Sequence, residues 1–140
     1  MTAAQERHQL KFRQLPGTYA IVRLASGAPV PDWASLSNST TGDFTSITRT
    51  PDELSIVCPT ENLPPDVHSS HRWICLKLKG PFRFSLTGVL QSFIGPLSYG
   101  AIPIFAISTF DTDYVLVQEP DIERALDALL HAGHELLDRG

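Results

Sequence analysis

The sequence has few cysteines, no excess of positive charge and no long hydrophobic run, and each absence excludes a class of protein. Two cysteines in 140 residues, Cys58 and Cys75, fit neither a disulfide framework nor a CxxC redox pair. Each lies in an apolar run, so we expect both to be reduced and buried. Eleven basic against fifteen acidic side chains give a net charge of −4. Because no basic stripe is available to neutralise phosphates, we expect no nucleic-acid partner.

No apolar stretch reaches the roughly 20 residues that a membrane helix requires. The polar start, residues 1–14, does not resemble a signal peptide. We therefore expect a cytoplasmic protein without a membrane partner. With 42% apolar and 9% aromatic residues, the chain has the composition of a globular protein of one domain or two very small ones.

Hydrophobic patterning predicts an alternation of strands and helices. Runs of β-branched, aromatic or alternating apolar residues predict strands at 18–24, 44–49, 53–58, 73–79, 102–108, 113–118 and 134–137. Apolar residues at every third or fourth position predict helices over 88–99 and 121–131, and residues 31–36 can form at most a short helix. Thr87 is the expected N-cap of the first long helix, whose last turn Pro96 should kink or loosen.

From Trp73 onward the order is strand, helix, strand, strand, helix, strand. This order is typical of the ferredoxin-like α+β arrangement, an antiparallel sheet with helices on one face. The front half has nearly the same order with poorer helices. We therefore predict a mobile N-terminal tail (1–15), an N-terminal unit (16–72) and a C-terminal unit (73–140). Units of about 70 residues are near the lower limit for an independent core, so the two should pack on each other or on another subunit.

The histidines give no pattern that favours a metal site. His68 and His71 precede Cys75, but their spacing is not that of a zinc site, and we expect no metal. His131 and His134 straddle the end of the last helix, where a cation interacts favourably with the helix dipole. We expect that structural role for both.

No catalytic motif is present: the sequence has no GxSxG, no phosphate-binding loop and no paired carboxylates at acid–base spacing. We expect no catalytic residue and no cofactor. The informative segment is ISTFDTDYVLV, residues 107–117, where hydroxyl and acidic residues lie in the turn between two apolar strands. In a purely structural reading, Ser108 and Thr109 cap the turn, Asp111 and Asp113 stay solvated, and Phe110 packs.

A functional reading of the same turn is a site for a small zwitterion. The backbone of Thr109 and Phe110 and the carboxylate of Asp113 would hold its ammonium group. Its carboxylate would need backbone donors, which a helix N-terminus such as residues 85–88 supplies. Both ends of an amino acid could be bound in this way.

The segment GPFRFSLTGVLQSFIGPLSYGAIPIFAISTFDTDYVLV, residues 80–117, resembles the second half of small bacterial ACT-domain proteins, which are related to the ACT repeats of the CASTOR arginine sensors. More weakly, the resemblance extends to ELSIVCP at 53–59 and to the Trp73 strand. It implies tandem βαββαβ units and amino-acid binding at an interface between units or subunits. The ligand-facing residues that it implies are Ser85, Leu86, Thr87, Gly88, Thr109, Phe110 and Asp113.

The resemblance has one departure with a functional consequence. The arginine sensors have an acidic residue in the loop ahead of the helix, where this chain has Leu86. An unpaired charge in a desolvated pocket is costly, so arginine specificity should not transfer.

We therefore expect a non-catalytic regulatory or sensor module that binds a small amino acid or related metabolite, forms a homodimer and acts on a regulated protein partner. One alternative is an interaction or oligomerisation protein that uses its sheet edges and has lost ligand binding. A third, less favoured reading is an enzyme that acts through Asp111 or Asp113.

Overall fold

Two α-helices cover one face of an antiparallel sheet in the second half of the chain. The computed structural model describes residues 8–34, 44–82 and 88–140. The helices are α1 (Val89–Tyr99) and α2 (Ile122–His131). The described strands are β1 (Lys11–Gln14), β2 (Tyr19–Leu24), β3 (Ser46–Arg49), β4 (Leu54–Pro59), β5 (Trp73–Leu78), β6 (Ile104–Ser108), β7 (Asp113–Gln118) and β8 (Glu135–Arg139). Short 3-10 helices cover Asp32–Ala34, Thr60–Asn62 and Glu119–Asp121.

All eight strands belong to one sheet, with β5 at its centre. The order is β3-β4-β2-β5-β1-β8, while β7 pairs with the other edge of β5 and β6 pairs with β7. From β5 onward the chain runs β5-α1-β6-β7-α2-β8, the expected ferredoxin-like order. The predicted α+β fold with helices on one face is thus confirmed.

The helices form because their apolar residues recur at helical spacing and meet the apolar face of the central strands. Val89, Phe93 and Leu97 of α1 are buried, each four residues after the last. They share a core with the inward residues of β5 and β7 and with Ala125, Leu126 and Leu129 of α2. Pro96 does not end α1, which continues to Tyr99. Leu130 follows Leu129 in sequence but lies outside this core and is 47% exposed.

The front half, in the part that the structure describes, is built on β2, β4 and β3. The strands predicted at 44–49 and 53–58 are present as β3 and β4, and they pair in antiparallel register as a hairpin. One face of β4 carries the buried residues Leu54, Ile56 and Cys58, and Ala34 of the first 3-10 helix covers it. The helix predicted over 31–36 is therefore a single 3-10 turn within the described residues, and residues 35 and 36 lie outside them.

The two halves share a second core on the sheet face opposite the helices, as the size argument predicted. Tyr19, Phe44 and Val57 from the front half cluster there with Cys75 and Leu116 from the second. The rings of Phe44 and Tyr114 stack with centroids 4.2 Å apart. The hydroxyl oxygen of Tyr19 accepts a hydrogen bond from the Phe44 amide at 3.1 Å.

The prediction of a mobile tail over 1–15 is wrong for residues 11–14, which form β1. This strand lies between β5 and β8, antiparallel to the first and parallel to the second. The sequence KFRQ has one apolar side chain, Phe12, which is fully buried and meets the ring of Phe93 edge to face at 5.1 Å. Long-range partners therefore determine this strand, whereas residues 1–7 lie outside the described part of the chain.

Both cysteines are free and buried, as expected. Burial raises the pKa of the Cys58 thiol to about 11 and also raises the pKa of Cys75. Neither is a reactive thiol at neutral pH. None of the described helices has the length and apolar character needed to cross a membrane.

Candidate functional site

The turn between β6 and β7 is a closed, well-bonded loop. The Thr109 amide donates to the Thr112 carbonyl at 2.8 Å, and the Thr109 hydroxyl donates to the same oxygen at 3.1 Å. The Thr112 amide in turn points to the Thr109 hydroxyl at 3.4 Å. These bonds satisfy the polar groups of the turn locally and fix the positions of the residues between them.

Asp113 begins β7 directly after this turn and is the acidic residue best placed to meet a cationic group. It is half-buried, and its carboxylate accepts a hydrogen bond from the Ser108 hydroxyl across the β6–β7 pair. A carboxylate has about four acceptor positions, so one hydroxyl leaves most of them for a ligand. No ion pair to Asp113 forms within the described residues.

The turn is tied to the connection that leads from β5 to α1. The buried hydroxyl of Thr112 donates to the Leu78 carbonyl at 2.8 Å. The Phe82 amide donates to the Asp111 carbonyl at 3.0 Å. Gly80 approaches so closely that a Cβ there would lie 2.7 Å from the Asp111 carbonyl oxygen. The hairpin turn and the strand-to-helix connection therefore meet at one end of the sheet.

Helix α1 begins at this same end with a glycine. Gly88 has φ +77°, a conformation that favours glycine, and as N-cap residue it has no side chain with which to cap the helix. The first amides of a helix have no intrahelical acceptor, and α1 has no acidic residue in its first turn. This start is thus suited to an anionic group.

Of the seven residues predicted for the site, the structure describes four. Gly88 starts α1, Thr109 and Phe110 lie in the hairpin turn, and Asp113 follows it. Phe110 is 79% exposed, whereas the structural reading expected a packed side chain. Residues 85–87, which include the expected N-cap Thr87, lie outside the described part of the chain.

Two residues at the site were missed from the sequence. Thr112 is only 6% exposed and bonds β5, and Gly80 allows the close approach of the two loops. A glycine beside Pro81 after a regular strand was the available signal for Gly80. Nothing local distinguishes Thr112 from the neighbouring hydroxyl residues.

His134 does not have the helix-dipole role expected from the sequence. It is 4% exposed and forms two hydrogen bonds to backbone groups, so it belongs to the core instead. Within the described residues, no group of three or more histidine, cysteine or acidic side chains is placed to hold a metal ion.

Next to the site, β6 forms an uncharged sheet edge. Its sequence is IFAIS, and in the described residues it pairs with β7 on one side only. Beside it lies an open apolar groove of about 390 Å³, and the neighbouring Tyr99 is 96% exposed. The groove is lined by Ile94, Ser98, Ala101, Ile102, Pro103 and Ile104. An uncharged free edge is a template for pairing with another strand.

Tyr114 lies on the sheet face shared by the two halves, two strand positions from Leu116. The Lys77 ammonium lies 5.9 Å from the centroid of its ring. Burial raises the pKa of the Tyr114 hydroxyl, and the nearby Cys75 and Asp111 groups add to that rise. Tyr114 therefore stays protonated at neutral pH and can act only as a neutral hydrogen-bonding group.

Comparison with known proteins supports the fold and the family. The ACT domain family model matches residues 68–131, and a separate model for an N-terminal domain matches residues 17–66. The structure of protein Atu0741 from Agrobacterium tumefaciens is similar with a TM-score of 0.85 and 45% identity, covering 95% of this chain and 96% of that one. Aspartate kinase from Clostridium acetobutylicum shares the fold, with a TM-score of 0.57 and 12% identity over 95% of this chain and 37% of the enzyme.

Two curated relatives are similar to this chain in sequence. Human CASTOR3P is 30% identical in an alignment 122 residues long, and the match covers 78% of this chain and 75% of that protein. The bovine cytosolic arginine sensor for mTORC1 subunit 1 is 27% identical in an alignment 97 residues long, and the match covers 61% of this chain and 30% of the sensor. The chain thus spans less than a third of the bovine sensor. Fold, family models and relatives agree, and the chain belongs to the ACT-domain family that includes the CASTOR proteins.

Proposed function

We propose that this protein is a non-catalytic sensor that binds a small amino acid or related metabolite between the β6–β7 turn and the start of α1. The observation that carries the proposal is the contact between the β6–β7 turn and the connection that leads from β5 to α1. The Phe82–Asp111 and Thr112–Leu78 hydrogen bonds bring them together. The carboxylate that would bind an ammonium group and the helix start that would bind a carboxylate thus belong to neighbouring segments.

The proposed roles follow from the charges. Asp113, whose carboxylate already accepts a hydrogen bond from Ser108, would accept further hydrogen bonds from the ligand ammonium. The amides that follow Gly88 would donate to the ligand carboxylate. Thr109 and Phe110 would line the side of the turn, and the residues predicted at 85–87 would complete the loop.

The ligand is expected to differ from arginine. The bovine relative is by name a cytosolic arginine sensor, which supports amino-acid sensing as the function and the cytosol as its location. This chain has Leu86 where the arginine sensors have an acidic partner for the cationic side chain. A small or apolar amino acid therefore fits the proposal better.

A homodimer through β6 would complete the site. Two β6 edges paired across a twofold axis would extend the sheet, and the hairpin that bears Asp113 ends that same strand. Ligand binding at or near this interface would then change subunit packing, which a regulated protein partner could recognise.

The test is thermal unfolding of the purified protein against the twenty amino acids. A ligand at 100 times its dissociation constant stabilises the folded state by about 2.7 kcal/mol, which gives a shift of several degrees. We expect a selective shift that Asp113→Ala abolishes. Asp111→Ala is the matched control, because Asp111 lies in the same turn with an exposed side chain and contributes its backbone carbonyl to Phe82.

The alternative of an oligomerisation protein without a ligand is favoured by the uncharged β6 edge and by the exposed Tyr99. A flat thermal-shift panel on cleanly folded protein, together with an oligomer that no amino acid alters, would replace the sensor proposal with this one.

A further inference from the structure

The side chain of His134 connects three elements that are distant in sequence. It lies between α2 and β8 and is 4% exposed. Its Nδ1 is 3.0 Å from the Leu10 amide, just ahead of β1, and its Nε2 is 2.8 Å from the Ser92 carbonyl in α1. Because the Leu10 amide donates to Nδ1, the ring proton is on Nε2, which donates to Ser92.

Ser92 makes a second link between the same elements. Its hydroxyl accepts a hydrogen bond from the His8 amide at 3.0 Å and donates to the Gly88 carbonyl at 2.7 Å. Residues 8–10 are thus fastened to the first turn of α1, the turn that begins at Gly88. The position of the segment ahead of β1 and the geometry of that helix start therefore depend on one set of hydrogen bonds.

We propose that His134 is a proton-controlled latch, which holds β1 and the first turn of α1 together when neutral and releases both when protonated. Uptake of a proton from solvent at Nδ1 would place an N–H opposite the Leu10 N–H, where an acceptor is required. The docked arrangement therefore needs the neutral ring. The release of β1 goes beyond the proposed function. The release of the first turn of α1 would also weaken binding of a ligand carboxylate at that helix start, and this part rests on the proposed function.

The charged and titratable groups on the surrounding elements do not replace the missing acceptor. From the β1 side these are His8 and Lys11, from β8 Glu135, and from the end of α2 His131. Lys11 and Glu135 form an exposed pair at 3.9 Å, which solvent screens. On the α1 side the ring meets the uncharged ring of Phe93, with centroids 5.5 Å apart.

The experiment measures the latch without any ligand. Nitrogen-15 NMR of labelled histidine side chains reports the tautomer and protonation of His134 between pH 7.5 and 5.5. Hydrogen exchange reports how often the β1 amides and the Ser92 amide open. The Ser92 amide donates to the Gly88 carbonyl and so reports on the first turn of α1. The rates are expressed as protection factors, which removes the intrinsic effect of pH on exchange. A solvated imidazole takes up its proton near pH 6.5.

We expect the Nε2–H tautomer at pH 7.5. As the pH is lowered from 7.5 to 5.5, protection of β1 and Ser92 should fall together, by up to about tenfold per pH unit. His134→Gln should abolish this pH dependence. His131→Gln, an exposed histidine three residues earlier, and His8→Gln should each retain it.

Three results would overturn the latch: pH-independent protection in the native protein, an unchanged slope in His134→Gln, or an imidazolium signal while β1 stays protected. If His134→Gln does not fold, the NMR and exchange data on the native protein still show whether protonation of His134 and loss of β1 protection occur together. A flat amino-acid panel would remove the sensor proposal without affecting any of these readouts.

Discussion

The hydroxyl of Thr112 donates a 2.8 Å hydrogen bond to the carbonyl oxygen of Leu78, and this bond fastens the β6–β7 turn to the end of β5. Leu78 is fully buried and Thr112 is 6% exposed, so water has little access to either group. The turn that bears the candidate ligand residues is therefore anchored to the centre of the sheet.

Replacing Thr112 by valine should destabilise the protein by about 1–3 kcal/mol, because the Leu78 carbonyl would lose its buried donor. Thr112→Ser keeps the hydroxyl and loses one methyl group, so its cost should be about 1 kcal/mol or less. Urea unfolding measures both. Equal losses in the two variants would mean that the hydrogen bond contributes nothing beyond packing.

Gly80→Ala should destabilise the fold by about 1–3 kcal/mol, because the new Cβ would lie 2.7 Å from the Asp111 carbonyl oxygen and 2.9 Å from the Thr112 Cβ. Gly95→Ala is the control. Gly95 lies within α1, and apart from its chain neighbours and the backbone of its own helix an added methyl group there would have no neighbour within 4 Å. The helix preference of alanine favours the change, while Pro96 directly after it opposes a Cβ in helical conformation, so Gly95→Ala should cost clearly less than Gly80→Ala. Thermal unfolding measures both variants, and an equal or larger loss at Gly95 would contradict the close packing described at Gly80.

Stability should fall as the pH rises above 9. The folded state holds the pKa of Cys58 at about 11, above its ordinary value of 9.0, so between these values the unfolded chain loses a proton that the folded chain retains. That difference lowers the free energy of unfolding by up to about 1.4 kcal/mol per pH unit. Urea unfolding from about pH 8 to about pH 10.5 measures the slope.

Cys58→Ala is the control for this pH dependence, because it removes the Cys58 contribution and leaves that of Cys75 in place. In Cys58→Ala the free energy of unfolding should fall less steeply with rising pH than in the native protein. Identical slopes would show that the Cys58 thiol ionises as easily in the folded protein as in the unfolded chain.

Ala106→Lys should weaken the proposed dimer at least about tenfold, since a lysine on the exposed side of the β6 edge opposes strand pairing. Thr48→Lys, an exposed position on the edge strand β3, should leave the dimer unchanged. Light scattering over a concentration series measures both. Dissociation by Thr48→Lys alone would assign the interface to β3.

The elements predicted correctly from the sequence are those whose signal is local. The alternation of Ile74, Leu76 and Leu78 in β5 and the three-and-four spacing in α1 depend on neighbouring residues, and both are confirmed. The β6–β7 turn was singled out from the sequence for the same reason, since hydroxyl and acidic residues cluster between two apolar strands. Whether its residues bind a ligand stays a prediction.

The features missed depend on partners far away in the chain. Phe12 lies in a strand because that strand pairs with two others, which place Leu78 and Leu136 opposite it. From the sequence, His134 is interpreted as a cation at the end of a helix. In the structure its Nδ1 accepts a hydrogen bond from the Leu10 amide, which is 124 positions away in the chain. Pattern reading evaluates each residue against its neighbours, so it cannot identify pairs of this kind.

The place of β1 between β5 and β8 makes the second unit discontinuous in sequence. Residues 8–15 precede the first unit, yet Phe12 packs in the core of the second, beneath Phe93. The first unit is thus inserted into the sequence of the second. In a fragment that starts at Trp73, the edges of β5 and β8 that pair with β1 would have no partner. A peptide of residues 8–15 has the edges and the aromatic side chain to take the place of β1 by strand addition.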